Sequence, residues 1–233
     1  MLFRSEMPVV AGYDFAGYSK PAEYTGGDLY DLVQIGDKVF LLVGDATGHG
    51  FGPALSATQM QAMLRVSFRV GADLEQACVE VNNQLVEDLP DNRFLTAFIG
   101  FLEPENHHIS YYSAGQGPLL QYHAATGTCS WRSPTSFPIG VMELSNIETE
   151  SMALEPGDIL AVISDGVYEY ENIEGEQFGE ERVMDVVTRY ADTTMEALNG
   201  ELMERIEAFA GEAIQQDDIT VVLVKRLAEG TSP

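Results

Sequence analysis

A block of short predicted strands separates two regions of helical periodicity, and this order limits the folds open to the chain. No segment between residues 94 and 164 has the pattern of a helix. Segments typical of short strands occupy residues 94–102, 109–113, 118–123, 128–132 and 158–164. Their connections are short, which requires antiparallel pairing. The order favours an α+β protein over an α/β protein, because helices do not alternate with strands.

Helical segments lie on both sides of that block. Residues 54–70 are rich in good helix formers, and Asp73 is placed to cap the helix that follows. After the block, apolar residues recur at helical spacing over residues 183–190 and again over 195–209. Continuous apolar runs, typical of strands covered on both faces, occupy residues 39–43 and 219–224. The chain is therefore expected to place sheet in the middle and helix pairs outside.

Four aspartate motifs lie next to these apolar runs or next to glycine. They are Gly-Gly-Asp-Leu-Tyr-Asp at residues 26–31, Gly-Asp-Ala-Thr-Gly-His-Gly at 44–50, Ser-Asp-Gly at 164–166 and Asp-Asp-Ile-Thr at 217–220. Each motif alone is more typical of a turn than of a metal ligand. If strand ends brought the four together, carboxylates within ~4 Å would repel by about 4 kcal/mol per pair at an effective dielectric of ~20. Protonation or bound divalent cations would have to relieve that repulsion.

Two cations held by carboxylates suit the hydrolysis of a phosphate ester. They lower the pKa of a bound water and neutralise charge on the phosphoryl group. The sequence has no Walker-type P-loop, no G-x-S-x-G elbow and no H-E-x-x-H motif, so no other catalytic set competes.

Composition limits the partners and the compartment. The 12 Lys and Arg against 37 Asp and Glu give a net charge of −25, which should repel nucleic acid and anionic membranes. No apolar stretch approaches the length needed to span a membrane. Cys78 and Cys129 follow no metal-ligand spacing, which favours a reduced, cytoplasmic setting. Cys78 lies on an apolar helical stripe and is predicted to be a core residue.

Taken in order, the motifs resemble those of the metal-dependent protein phosphatases (PPM, or protein phosphatase 2C-like), in the bacterial SpoIIE/RsbU-type branch. The resemblance runs from about residue 8 to residue 226. Beyond the aspartate motifs it includes Ser-Ala-Gly-Gln-Gly-Pro at residues 113–118, Phe-Pro-Ile-Gly at 137–140, Leu-Glu-Pro-Gly-Asp at 154–158 and Phe-Gly at 178–179. It implies a four-layer αββα sandwich, with two antiparallel β-sheets flanked by helix pairs, in agreement with the layering expected above.

The resemblance also implies hydrolysis of phosphoserine or phosphothreonine in a protein, with two divalent cations, Mn²⁺ or Mg²⁺. Asp45 would bridge both cations, and the Ala46 backbone carbonyl would contribute an oxygen ligand. Asp165 and Asp217 would complete the shell of the second cation. Asp28 would bind a cation directly or hold a metal-bound water.

Other residues of the same motifs are expected to have supporting roles. Asp31 and Asp218 would support the site without being ligands. His49 could protonate the leaving seryl oxygen, although the turn around it could also be structural. Gln116 stands where the family usually has a histidine. That position does not bind metal, so activity is expected to survive the difference.

The resemblance extends to the surroundings of the domain. It implies that residues 1–233 form a single phosphatase domain, C-terminal to a sensory or receiver domain in a longer protein. The substrate would be a phosphorylated anti-sigma-factor antagonist with the STAS fold. In related phosphatases the helices after the second aspartate motif can move to complete the metal site, which here would involve residues 52–69 and the second helix.

Two other functions remain open from the residues themselves. One is an inactive pseudophosphatase that acts as a protein-binding regulatory module, although every expected ligand position is filled. The other is a calcium-binding structural domain, although no EF-hand-like loop is present.

Overall fold

The computed structural model describes residues 7–228, so both ends of the expected 1–233 domain lie outside the described residues. Within that part the strands are β1 (Tyr13–Lys20), β2 (Leu29–Ile35), β3 (Lys38–Ala46), β4 (Leu95–Glu103), β5 (His108–Ala114), β6 (Leu119–His123), β7 (Thr128–Arg132), β8 (Glu150–Ala153), β9 (Ile159–Ile163) and β10 (Ile219–Arg226). The helices are α1 (Phe51–Arg69), α2 (Leu74–Asp88), α3 (Asp165–Tyr168), α4 (Gly179–Arg189) and α5 (Met195–Ala210). None of the described helices is long and apolar enough to cross a membrane.

The strands form two five-stranded sheets. One has the order β2-β3-β4-β5-β8 and is called the β3 sheet; the other has the order β1-β10-β9-β6-β7 and is called the β9 sheet. The paired strands within each sheet run antiparallel. This confirms the antiparallel pairing that the short connections predicted.

Apolar side chains fill three interfaces and so define four layers. Between the sheets, Val43 and Phe98 of the β3 sheet pack with Leu160 and Val222 of the β9 sheet. A second cluster joins the outer face of the β3 sheet to α1 and α2, and a third joins the outer face of the β9 sheet to α4 and α5. The predicted αββα sandwich is therefore confirmed, because each sheet buries one face against the other sheet and one against a helix pair.

Several local predictions are also confirmed. Residues 39–43 are each at most 1% exposed, as expected for a strand covered on both faces. The Asp73 carboxylate accepts a hydrogen bond of 2.8 Å from the Gln76 N–H and so caps α2. Cys78 is fully buried in the cluster between α1, α2 and the β3 sheet.

Antiparallel pairing brings the aspartate motifs together in pairs within each sheet, one at the start of a strand and one at the end of its neighbour. The motif at residues 26–31 opens β2 where the motif at 44–50 closes β3, and Leu29 pairs with Gly44. In the other sheet, the motif at 164–166 follows β9 where the motif at 217–220 opens β10, and Val221 pairs with Ile163. Each sheet thus contributes one strand start and one adjacent strand end.

Candidate metal centre

Two glycines let the loop before β2 lie directly against neighbouring strand ends. A Cβ on Gly27 would lie 2.4 Å from the Ala46 carbonyl oxygen, and a Cβ on Gly26 would lie 1.7 Å from Asp218 Oδ2. Both distances are too short for a real contact, so a larger residue would displace the loop. The Ala46 N–H also donates to the Gly27 carbonyl at 3.3 Å. These contacts bring Asp28 to the end of β3.

The Asp218 carboxylate fastens the same loop to the β9 sheet. Its Oδ1 accepts from the Ala22 N–H at 2.8 Å, and its Oδ2 accepts from the Asp28 N–H at 3.2 Å. Asp218 is only 8% exposed, and both of its carboxylate oxygens are held by main-chain donors. Asp218 therefore positions Asp28 and connects the two sheets at this edge.

Ser164 joins the two aspartate motifs of the β9 sheet. Its Oγ accepts from the Thr220 N–H at 2.9 Å and donates to the Asp218 carbonyl at 3.3 Å. Asp165 follows Ser164 directly at the start of α3, and Asp217 precedes Asp218. The serine hydroxyl thus fixes the backbone that carries Asp165 relative to the backbone that carries Asp217.

Electrostatic interactions connect the four carboxylates that were predicted to be metal ligands, those of Asp28, Asp45, Asp165 and Asp217. Burial, followed by the charges of Asp165 and Asp217, raises the pKa of Asp45 to about 7. Burial, followed by the charge of Asp45, raises the pKa of Asp28 well above its ordinary value. Burial is also the main cause of the raised pKa values of Asp165 and Asp217. A divalent cation between these groups would favour their charged forms.

The donor set fits a hard divalent cation. Asp28 Oδ2 is buried without a hydrogen-bond partner among the described residues, which is unfavourable for a charged carboxylate unless a cation binds it or a proton neutralises it. Across residues 7–228, no three or more His, Cys, Asp or Glu side chains form a group able to hold a metal ion by themselves. A cation here would therefore also need carbonyl and water ligands, as Mg²⁺ and Mn²⁺ commonly take. The Ala46 carbonyl, beside Gly27 at the same strand end, is a suitable ligand.

Two of the predicted site residues have their observed partners elsewhere. Asp31 is fully buried and forms a bidentate ion pair with the guanidinium of Arg65, which anchors α1 on the β3 sheet. His49 Nδ1 lies 3.4 Å from a carboxylate oxygen of Glu23, and the His49 side chain is 81% exposed. Its role as a general acid stays a prediction.

Sequence reasoning gave no positive role to Gln116, which lies between the two sheets. Its side chain is 4% exposed and is hydrogen-bonded to Thr96 and to the Ile163 main chain. The signal in the sequence was a glutamine at the position where the family usually has a histidine.

A cavity of about 300 Å³ opens beside the carboxylates, between the loop at residues 21–30 and the start of α1. Asp28 and Asp218 form part of its wall, together with the exposed side chains of Tyr24 and Phe51. The cavity therefore offers an approach to Asp28 from the surface.

Gly166 provides a test of how closely the two β9-sheet motifs must approach. A Cβ at Gly166 would lie 2.0 Å from the Asp218 carbonyl oxygen, a main-chain atom that cannot rotate away. We expect Gly166→Ala to lower the free energy of unfolding by about 2 kcal/mol through overpacking, and to weaken Mn²⁺ binding because Asp165 moves with α3. Urea unfolding and Mn²⁺ titration would measure the two effects.

Gly200→Ala is the matched control for that substitution. Gly200 lies exposed inside α5, and a Cβ there meets no atom within 4 Å. It should stabilise the protein by about 1 kcal/mol through helix propensity and leave Mn²⁺ affinity unchanged. Equal effects of the two substitutions on Mn²⁺ affinity would show that the close approach of the two motifs is not needed for Mn²⁺ binding.

Comparison with known proteins finds a matching family model and bacterial relatives of this chain. The family model for Stage II sporulation protein E (SpoIIE) matches residues 35–227. Protein IcfG of Synechocystis is 25% identical over 94% of this chain, and the phosphoserine phosphatase RsbU of Bacillus subtilis is 23% identical over 72% of it. The matched regions are 39% of IcfG and 50% of RsbU, so the chain spans at most about half of these relatives.

Solved structures share the fold. The structure of the RsbU and RsbW domains of a Mycobacterium tuberculosis protein has a TM-score of 0.83 and 25% identity, and covers 100% of this chain and 65% of that one. A structure of RsbX in complex with magnesium has a TM-score of 0.69 and 17% identity, and covers 94% of this chain and 98% of that one. The family match extends over most of the sequence and includes three of the four aspartate motifs. The chain therefore belongs to the SpoIIE family, within the protein phosphatase 2C-like phosphatases that its motifs resemble.

Proposed function

We propose that the chain is a metal-dependent protein serine/threonine phosphatase, which hydrolyses a phosphoserine or phosphothreonine ester with water. The observation that carries the proposal is the electrostatic interaction of Asp45 with Asp28 from its own sheet and with Asp165 and Asp217 from the other. Burial first, and then the charges of neighbouring aspartates, raise the pKa values of Asp28, Asp45 and Asp217. Membership of the family, and the relative RsbU being a phosphoserine phosphatase, support the same reaction.

Two divalent cations, Mn²⁺ or Mg²⁺, would supply an activated water and neutralise the phosphoryl group. Asp45 is the carboxylate suited to bridge them, because its charge interacts with Asp28 on one side and with Asp165 and Asp217 on the other. The Ala46 carbonyl would add a ligand next to Asp45. A cation bound here would replace the proton that Asp45 otherwise keeps near neutral pH.

The surrounding residues hold these groups and admit the substrate. Asp218 and Ser164 fix the backbone on either side of the site through main-chain hydrogen bonds. We assign protonation of the leaving seryl oxygen to His49, which follows β3 four residues after Asp45 and is open to an incoming protein. The cavity beside Asp28 would receive part of the substrate.

We further propose that the substrate is a phosphorylated anti-sigma-factor antagonist with the STAS fold, met in the cytoplasm. The membership of the SpoIIE family supports this class of partner. The chain would act as the output domain of a longer protein with a sensory or receiver domain upstream. The greater length of the relatives IcfG and RsbU supports that arrangement.

The proposal predicts metal-dependent release of phosphate from a phosphorylated STAS protein. The purified chain would be incubated with that protein or with a generic phosphoserine peptide, in Mn²⁺ or in excess chelator. We expect release only with metal, and release from the STAS protein at least about 10-fold faster, a difference of about 1.4 kcal/mol in transition-state binding. Equal rates for both substrates would remove the STAS assignment. No metal-dependent release from either would favour the pseudophosphatase.

A further inference from the structure

Gln116 lies in the connection between β5 and β6, where the chain crosses from the β3 sheet to the β9 sheet. Its amide makes one hydrogen bond to each sheet. Oε1 accepts from Thr96 Oγ1 at 3.3 Å, and Nε2 donates to the Ile163 carbonyl at 3.0 Å. The Gln116 main-chain carbonyl accepts from Ser113 Oγ, which holds the turn in place.

Both partners of the amide are immediate neighbours of the carboxylate site. Thr96 on β4 lies directly opposite Asp45 in the antiparallel register. Ile163 ends β9, two residues before Asp165. One planar amide therefore links the strand beside Asp45 to the strand that leads to Asp165.

We infer that Gln116 is a positioning residue, whose neutral amide sets the separation between the two halves of the metal site. The inference rests on the proposed function only in taking these carboxylates as metal ligands. Direct contact between Gln116 and a cation is not required, because the amide acts through Thr96 and Ile163. Such supporting contacts commonly change metal affinity by about 10- to 100-fold when removed.

The chemistry of the link explains why an amide suits it. Thr96 offers a hydroxyl donor and Ile163 offers a carbonyl acceptor, so the bridging group must accept and donate at once. A carboxylate at residue 116 could only accept, and it would face the Ile163 carbonyl with a negative charge. An apolar side chain would leave both partners without their bond inside the protein.

A second buried glutamine supplies a matched comparison. Gln121 on β6 is 3% exposed, donates from Nε2 to the Ala153 carbonyl at 3.3 Å, and accepts from Arg132 Nε at 3.1 Å. Ala153 belongs to the β3 sheet, so Gln121 also links the two sheets. Ala153 pairs with His108 at the start of β5, whereas Gln116 follows the end of β5, so the two links lie at opposite ends of this strand.

The test compares Gln116→Met with Gln121→Met. Each substitution preserves side-chain length and removes both amide hydrogen bonds, so both variants should lose stability in urea unfolding. Binding of Mn²⁺ to the metal-free protein would be followed by the electron paramagnetic resonance signal of free Mn²⁺. We expect the Mn²⁺ Kd to rise at least about 10-fold for Gln116→Met and to change less than about 2-fold for Gln121→Met.

Thr96→Val gives a second variant with a milder change, since it removes only the hydroxyl that donates to Gln116. It should also weaken Mn²⁺ binding, and adding it to Gln116→Met should produce little further loss, because both act through one link. Unchanged Mn²⁺ affinity in Gln116→Met and Thr96→Val, with normal binding by the unaltered protein, would overturn this inference alone. Failure of the unaltered protein to bind Mn²⁺ would overturn the proposed function as well.

Discussion

Asp45→Asn is expected to lower Mn²⁺-dependent phosphate release by at least about 1,000-fold, equivalent to about 4 kcal/mol of transition-state stabilisation. Asparagine keeps the size of the side chain and one carbonyl oxygen, but it removes the charge. Asp45 interacts electrostatically with Asp28 from its own sheet and with Asp165 and Asp217 from the other, so its loss would affect ligands on both sides. Initial rates of phosphate release at saturating Mn²⁺ would measure the effect.

Asp37→Asn is the control for that experiment. Asp37 is an exposed aspartate in the turn between β2 and β3, at the end of these strands away from Asp45. It removes the same charge from the protein and should leave the rate unchanged. Retention of normal Mn²⁺-dependent turnover by Asp45→Asn would show that Asp45 does not bridge the cations.

Local patterns in the sequence were sufficient to predict sheet flanked by helix pairs, whereas the stacking of two sheets was implied by the family resemblance. Apolar runs identified β3 and β10, and helical stripes identified the helices on both sides of the strand block. The edge strand β8 carried no such signal, because only Met152 among its four residues is buried. The strand β1 was also not predicted, since its polar residues and Gly17 interrupt the apolar pattern.

The candidate site was only partly accessible to sequence reasoning, because its supporting contacts join residues far apart in the chain. Asp28 and Asp45 could be found from glycine-rich motifs at strand ends. The hydrogen bonds that the Asp218 carboxylate accepts from the loop before β2 span 190 residues or more, and those of Gln116 span 20 and 47 residues of the chain. Such contacts depend on how the two sheets stack, which no local pattern specifies.

Asp45→Asn, which is expected to lower activity, should raise the stability of the metal-free protein. The pKa of Asp45 is about 7 in the folded protein, whereas its ordinary value, which applies to the unfolded chain, is 3.8. Well below pH 3.8, the carboxyl is neutral in both states and does not oppose folding. As the pH rises towards 7, the unfolded chain loses this proton before the folded protein does, so stability falls. The full penalty, up to about 4 kcal/mol at about 1.4 kcal/mol per pKa unit, applies above pH 7.

Urea unfolding in chelator at pH 4, 6 and 8 would reveal this penalty. Asp45→Asn should be close in stability to the unaltered protein at pH 4 and clearly more stable at pH 8, whereas Asp37→Asn should show no such divergence. Added Mn²⁺ should reverse the order at pH 8, because only the protein with intact ligands gains stability from binding the cation. If the metal-free unaltered protein were the more stable one at pH 8, the burial of the Asp45 charge and its repulsion by Asp165 and Asp217 could not be what a cation offsets. The expected order would instead show that the charge of Asp45 opposes folding when no metal is bound. The same charge would support hydrolysis when the cations are bound.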